Sequence, residues 1–220
     1  MAGTPVRITV LISGNGSNLQ ALIDAAAGSQ LLPSVKIVRV ISNKKNAYGL
    51  TRAEKASIPT LYHNLVAGKY VRSGETDATI KQKAREAYDS DLAEKVLQDK
   101  PDLVVCAGWM HILAPTFLEP LSTARVPVIN LHPALPGEYD GAGAIDRAFN
   151  DFQNGTLKDG RTGVMVHYVV AKVDSGEVIL QQEIPCRTGE TLEELESRIH
   201  EIEHSIIVRG TAEAVSRIRQ

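Results

Sequence analysis

Two polar side chains end an apolar segment in a pattern that suits acyl-transfer chemistry. The segment Val126–Leu131 reads V-P-V-I-N-L and is followed by His132, which places Asn130 and His132 two positions apart. On an extended strand, both side chains point to one face. An amide donor beside an imidazole can stabilise a tetrahedral oxyanion and move a proton. A lone histidine is more typical of a satisfied, partly buried ring, but the pair favours chemistry.

A carboxylate would complete this pair by fixing the imidazole tautomer and supplying negative charge. Asp174 lies in the turn-like sequence V-D-S-G, between two late strand-like segments. Beside it, His132 would be partly protonated near neutral pH. Aspartates in such turns more often serve only to form the turn, so spacing alone leaves both interpretations open.

A glycine-rich turn near the start of the chain predicts an anion site. The sequence S-G-N-G-S-N at 13–18 follows the strand-like run Arg7–Ser13 and precedes an amphipathic helical pattern. Unpaired N–H groups and the helix dipole would suit the phosphate of an ester at Gly16, Ser17 and Asn18. Leu19 stands where a dinucleotide fingerprint needs glycine, and no Lys-Ser/Thr follows as in a P-loop. A plain tight turn capped by Ser17 is the alternative.

The elements that must position these residues alternate between strand and helix. Apolar runs at Val35–Ile41 and Leu103–Ala107 predict strands, and Tyr48–Ala56 and residues 80–96 have helical spacing. Nearly all-apolar strands between helices predict an α/β fold with an open, mostly parallel Rossmann-like sheet and helices on both faces.

The second half of the chain predicts an antiparallel C-terminal extension. Gly163–Val170 and Glu177–Gln182 are strand-like and joined by a turn sequence. Thr191 and Glu194 form a capping box that opens a closing helix. Asp151–Arg161 is polar and contains glycine, which predicts a surface loop.

Composition narrows the functional classes. The 220 residues carry a formal net charge of −2, which gives no general attraction for nucleic acid or an anionic membrane. No apolar run approaches the ~18 residues needed to span a bilayer. The N-terminus resembles no secretion signal, and the two cysteines form no C-x-x-C pair. We therefore expect a cytoplasmic protein that acts on small molecules, binding neither nucleic acid nor membrane.

Four motifs together resemble the folate-dependent formyltransferases that act on phosphoribosylglycinamide in purine synthesis. They are S-G-N-G-S-N-L at 13–19, A-G-W-M-H-I-L at 107–113, N-L-H-P-A-L at 130–135 and V-D-S-G-E-V-I-L at 173–180. The resemblance implies formyl transfer from 10-formyltetrahydrofolate, a co-substrate, to the amine of 5'-phosphoribosylglycinamide, without a metal. It also implies a single formyltransferase domain over 1–220, with a phosphate-binding half at 1–125 and a catalytic, folate-binding half at 126–220. A homodimer is left open.

The same resemblance assigns roles to individual residues. Asn130, His132 and Asp174 match the catalytic trio. Phosphoribosylglycinamide is expected to contact Gly16, Ser17, Asn18, His200 and Glu203. The folate is expected to contact Arg85, Met110, His111, Ile112, Leu113, Asn130, Val170, Ala171, Lys172, Val173 and Asp174.

Some positions depart from the family pattern. His111 stands where many relatives have arginine, which predicts a weaker charge contact to the folate tail. His200 replaces a longer polar or basic residue, and residues 63–80 resemble a surface insertion.

Several alternatives remain open at this point. A formyltransferase for aminoacyl-tRNA should carry an added basic domain, for which this chain ends too soon. A formyl-folate hydrolase would not need the predicted phosphate site. A protein that only senses a phosphate-containing ligand would not need Asn130, His132 and Asp174. His200 and His204 have the helical spacing of a zinc pair, but no third ligand is evident.

Overall fold

The computed structural model describes residues 4–28, 32 and 34–219. Within the chain, Met1–Val128 and Ile129–Gln220 form two compact units.

The first unit is built on a parallel sheet. Its strands are β1 (Val6–Ile12), β2 (Val35–Ser42), β3 (Thr60–Tyr62) and β4 (Leu103–Cys106). They are arranged in the order β3-β2-β1-β4, and each neighbouring pair is parallel. Most β1 and β2 side chains and all those of β4 are buried, which explains their nearly continuous apolar sequences.

Four helices accompany this sheet: α1 (Ser17–Gly28), α2 (Tyr48–Lys55), α3 (Ala78–Gln98) and α4 (Pro115–Thr123). The first three agree with the predicted helical patterns. Asp77 caps α3 by accepting a hydrogen bond from the Ile80 N–H. Of the residues 63–80 that resemble an insertion, the last three belong to α3.

The second unit contains three antiparallel strands and two helices. The strands β5 (Val128–His132), β6 (Arg161–Tyr168) and β7 (Val178–Pro185) follow the order β5-β6-β7. The helices are α5 (Ala144–Gln153) and α6 (Leu192–Ile218). The predicted antiparallel extension is confirmed, and so is the capping box of Thr191 and Glu194.

One sequence-based boundary in this unit was wrong. The segment Asp151–Arg161 is not a loop throughout, because its first three residues complete α5. A short 3-10 turn at Lys158–Gly160 then leads into β6. The polar composition of the segment reflects the exposed end of a helix as well as a loop.

Close packing of α6 on β6 gives a stability prediction. A Cβ atom at Gly210 would lie 2.8 Å from Cβ, Cγ1 and Cγ2 of Val166. We expect Gly210→Ala to lower the free energy of unfolding in urea by about 1 kcal/mol, because overpacking outweighs the gain in helix propensity. Gly28→Ala is the matched control, since a Cβ there meets nothing within 4 Å. A Gly210→Ala protein as stable as the control would contradict this packing argument.

Candidate active site

The structure brings the predicted catalytic trio together in the second unit. Asn130 and His132 lie on β5, and Asp174 lies in the turn between β6 and β7. His132 Nδ1 is 3.5 Å from Asp174 Oδ2. Asp174 has a left-handed backbone with φ of 48°, a conformation that aspartate tolerates better than most residues. Asp174 therefore both forms the turn and faces the imidazole.

A second histidine, which the sequence analysis did not single out, joins this group. His167 lies opposite Asn130 in the antiparallel register of β5 and β6. Its Nε2 is 3.3 Å from Asn130 Nδ2 and 3.4 Å from Asp174 Oδ1. Its Nδ1 is 2.9 Å from the Tyr168 carbonyl oxygen, which can only accept. Nε2 therefore accepts from Asn130 when the ring is neutral and donates to Asp174 when it is protonated.

The protonation state of His132 differs from the sequence-based expectation. Burial lowers the pKa of His132 below its ordinary value, although the Asp174 carboxylate opposes the effect. The ring is therefore neutral near pH 7 rather than partly protonated. With Nδ1 facing a carboxylate, the proton of the neutral ring resides there, and Nε2 keeps its lone pair. Nε2 is buried and has no hydrogen-bond partner among the described residues.

Asp174 remains ionised despite its burial. Burial alone would raise the pKa of its carboxyl, but hydrogen bonds from His167 and the Gly141 N–H hold it below the ordinary value. The Gly141 N–H lies 2.8 Å from Asp174 Oδ2. The arrangement thus combines a fixed carboxylate, an orienting contact to a neutral imidazole and an amide donor, which are the components of acyl transfer.

The predicted phosphate loop leads into the first turn of α1. Gly16 has a φ of +75°, and its carbonyl accepts the first helical hydrogen bond, from the Gln20 N–H. Ser17 and Asn18 are the first two residues of the helix. Their N–H groups precede the helix's own hydrogen-bond ladder, and the helix dipole is positive at this end. The local backbone is that of an anion-binding turn.

An arginine on α2 fixes the orientation of this loop, a feature that sequence reasoning missed. Arg52 Nε donates to the Asn15 carbonyl at 3.0 Å, and Nη2 donates to Asn15 Oδ1 at 2.8 Å. Its guanidinium also lies 4.8 Å from the centre of the Tyr48 ring. The N–H and C=O of a trans peptide point in opposite directions. Because Arg52 binds the Asn15 carbonyl, the Gly16 N–H of the same peptide points away from Arg52.

Arg85 and His111, both predicted folate contacts, touch each other in the first unit. Arg85 Nη1 donates to His111 Nδ1, and Nη2 donates to the Ile112 carbonyl at 2.8 Å. Burial and the Arg85 charge lower the pKa of His111 to about 4. His111 is therefore a neutral ring at pH 7, consistent with a weaker charge contact at this position. Arg85 also forms an ion pair with the buried Asp89, at 3.2 Å.

Apolar side chains are exposed in the predicted folate segments of both units. In the first unit, Met110 is 73% exposed and Ile112 is 65% exposed, whereas Leu113 is buried. In the second unit, Val170 is 43% exposed, and it precedes the turn through Ala171, Lys172 and Val173 that carries Asp174. Exposed apolar groups of this size suit contact with an apolar ligand surface.

The predicted substrate contacts on α6 differ in their exposure. Glu203 is buried, whereas His200 is exposed one turn earlier on the same helix. They are three positions apart and therefore neighbours on the helix surface.

Neither a metal-binding cluster nor a membrane-spanning helix occurs among the described residues. Within residues 4–28, 32 and 34–219, no three His, Cys, Asp or Glu side chains are grouped so that they could hold a metal ion. In the same ranges, no helix is both long and apolar enough to cross a membrane.

Comparison with known proteins identifies the class to which this fold and site belong. The pattern of the formyl transferase family matches residues 6–211. The chain belongs to that family and is an enzyme that transfers a formyl group.

Individual relatives within this family carry a more specific name. The chain is 47% identical to phosphoribosylglycinamide formyltransferase of Schizosaccharomyces pombe, over 95% of this chain and 97% of the relative. It is 48% identical to the Dictyostelium discoideum protein of the same name, over 92% and 95%. The crystal structure of glycinamide ribonucleotide transformylase 1 from Symbiobacterium toebii aligns with a TM-score of 0.77 and 32% identity, covering 96% of this chain and 90% of that one. The predicted α/β formyltransferase fold is thereby confirmed.

Proposed function

We propose that this enzyme transfers the formyl group of 10-formyltetrahydrofolate to the amine of 5'-phosphoribosylglycinamide, a step of purine synthesis. The products are the N-formyl compound and tetrahydrofolate. The observation that carries the proposal is the His132 ring, whose Nδ1 faces Asp174 and whose buried Nε2 has no hydrogen-bond partner in the part of the chain that the structure describes. The names of the close relatives support this choice of acceptor.

The donor site rests on residues with fitting surface chemistry. In the first unit, the exposed side chains of Met110 and Ile112 offer apolar contacts for the flat heterocycle of a folate. Arg85 is positively charged and suits an acidic tail, although three of its N–H groups are already engaged within the first unit. When bound, the donor supplies an activated formyl group attached to nitrogen.

The residues of the second unit supply proton transfer and charge stabilisation. As the acceptor amine forms a bond to the formyl carbon, Nε2 of neutral His132 takes the proton that the amine must lose. Negative charge develops on the formyl oxygen, and the second N–H of the Asn130 amide donates to it. Asp174 stabilises the imidazolium that forms.

The second half of the reaction returns that proton. The bond between the formyl carbon and the donor nitrogen breaks, and the departing nitrogen receives the proton from His132. His132 is then neutral again, so atoms and charge balance over the cycle. One histidine acts first as a base and then as an acid, which requires an orienting carboxylate on its other nitrogen.

The phosphate of the acceptor is assigned to the loop before α1. Gly16, Ser17 and Asn18 provide backbone donors, and the dipole of α1 adds positive charge. A phosphate anchor supports an acceptor that is a phosphate ester rather than a free amine. The predicted contacts from His200 and Glu203 remain part of this proposal, with Glu203 suited to a cationic or donor group.

We place this activity in the cytoplasm. Both Cys106 and Cys186 are free thiols, which agrees with a reducing compartment.

An assay with purified protein tests the function and its pH dependence. We expect tetrahydrofolate to form only when phosphoribosylglycinamide is added. Because the pKa of His132 is lowered and its neutral form is the base, turnover between pH 8 and about 6.5, the ordinary histidine pKa, should fall no more than the fraction of unprotonated acceptor amine, whose ordinary pKa is about 7.7–8.0, and should decline more steeply only below it. The measurement is the initial rate of product absorbance at each pH.

Three results would contradict the proposal. Release of formate without an acceptor would indicate a hydrolase. Equal rates with the phosphate-free glycinamide riboside would remove the role of the phosphate loop. A decline in turnover well above pH 6.5 that exceeds the loss of unprotonated acceptor amine would show that His132 is protonated too readily to serve as the base.

A further inference from the structure

The backbone donor to Asp174 comes from an irregular loop. Gly141 N–H donates to Asp174 Oδ2 at 2.8 Å. The loop between β5 and α5 contains left-handed residues at Gly137, Tyr139, Gly141 and Gly143, with φ of 76°, 52°, 82° and 67°. Such a backbone has no regular hydrogen-bond ladder to hold it. The direction of the Gly141 N–H bond therefore depends on other contacts.

Several of those contacts come from one side chain on the first turn of α5, in addition to the hydrogen bond from the Tyr139 hydroxyl to Asp151 Oδ2 at 2.7 Å. Arg147 Nη2 donates to the Tyr139 carbonyl at 2.5 Å and to the Asp140 carbonyl at 2.8 Å. Arg147 Nε lies 3.3 Å from the Gly143 carbonyl. Its guanidinium lies 5.6 Å from the centre of the Tyr139 ring. One guanidinium group therefore donates hydrogen bonds to three carbonyls of the loop. The rigid, planar arrangement of N–H donors in arginine suits this role.

The peptide between Asp140 and Gly141 links this cation to the carboxylate. The chain has no cis peptide bond among its described residues, so the Asp140 C=O and the Gly141 N–H point in opposite directions. Arg147 binds the oxygen on one side of this peptide, and Asp174 accepts the N–H on the other. The positive charge also polarises the peptide group and strengthens its N–H as a donor.

We propose that Arg147 is a positioning residue of the formyl-transfer reaction, which holds the Asp140–Gly141 peptide so that its N–H orients the carboxylate of Asp174. Arg147 acts through the peptide and does not itself contact Asp174. The inference rests on the proposed role of Asp174 and extends it to a residue on α5. The titratable groups that face Asp174 are His132 and His167.

Kinetic comparison of Arg147→Met and Arg147→Lys provides the first test. We expect Arg147→Met to lower kcat by about tenfold, because a hydrogen bond to a charged group is weakened. KM for phosphoribosylglycinamide should change less than about twofold. Arg147→Lys should retain part of kcat, because lysine keeps the positive charge but lacks the planar set of N–H donors of a guanidinium. Arg161→Met is the matched control, since the ion pairs of Arg161 are formed with Asp159 and Glu183.

A double-mutant cycle separates positioning from general damage to the fold. In an Asp174→Asn background, the carboxylate that Arg147 serves is gone, so Arg147→Met should have little further effect on kcat. An equal tenfold loss in both backgrounds would overturn the proposal.

Nuclear magnetic resonance tests the contact without any substrate. In the native protein, the Gly141 amide shift should follow the titration of the Asp174 carboxyl carbon. In Arg147→Met, the carboxyl pKa should rise, because a hydrogen bond to its charged form is weakened. An unchanged carboxyl titration would overturn the inference. The proposed function fails separately, if the native protein forms no tetrahydrofolate with phosphoribosylglycinamide.

Discussion

Replacing Asp174 with asparagine is expected to lower kcat by about 10²–10⁴-fold. Asparagine has nearly the same shape, but it has no charge with which to stabilise the imidazolium that forms on His132. It can also present an N–H to His132 Nδ1, which would favour the wrong tautomer and place the ring proton on Nε2. Because Asp174 is not among the residues assigned to binding of phosphoribosylglycinamide, KM for this substrate should change little. Steady-state rates with both substrates varied measure the two parameters.

The control for this variant must remove a carboxylate without touching the trio. Asp159→Asn serves this purpose. Asp159 lies in the short turn before β6 and forms a long ion pair with Arg161, at 3.7 Å. Its kcat should remain within about twofold of the native value, as for a surface pair. If Asp174→Asn and Asp159→Asn were equally active, Asp174 would be only a turn residue and the proposed mechanism would be wrong.

Much of the fold could be predicted because its signals are local. Nearly all-apolar runs mark β1, β2 and β4, and the capping box of Thr191 marks the start of α6. The elements that escaped prediction have weak or misleading local signals. β3 has only three residues, and α4 contains Pro115 and Pro120. Pro115 is tolerated because its missing N–H would have no partner in the first turn.

The site was predictable where a motif carries it and hidden where packing creates it. Asn130 and His132 share a motif, but His167 joins them only through the antiparallel register of β5 and β6. The neutral state of His132 follows from desolvation, which depends on the residues that surround the ring in the folded protein and not on those adjacent in the sequence. Arg147 bonds to backbone carbonyls, which have no sequence signature.

The phosphate loop offers the second large effect, through Gly16. A Cβ atom at Gly16 would lie 2.6 Å from the Gly49 Cα, and the φ of +75° disfavours any side chain. Gly16→Ala must therefore move either the loop or α2. Either movement turns backbone N–H groups away from the phosphate, and hydrogen bonds to a charged group depend strongly on direction. We expect KM for phosphoribosylglycinamide to rise about 10–100-fold, since each such bond contributes roughly 1.5–3 kcal/mol.

Gly14→Ala is the matched control in the same loop, because a Cβ there meets nothing within 4 Å and Gly14 has no positive φ. Its KM should stay within about twofold of the native value, as for a substitution that disturbs no contact. The phosphate-free glycinamide riboside separates phosphate binding from general damage, since Gly16→Ala should barely change kcat/KM for a substrate that never used the loop. An equal fall with both substrates would mean that the variant harms the fold as a whole, and an unchanged KM would place the phosphate elsewhere. The selective loss is expected because the amides proposed to bind the phosphate and the imidazole proposed to move the proton lie on different elements, so binding and chemistry can be impaired independently.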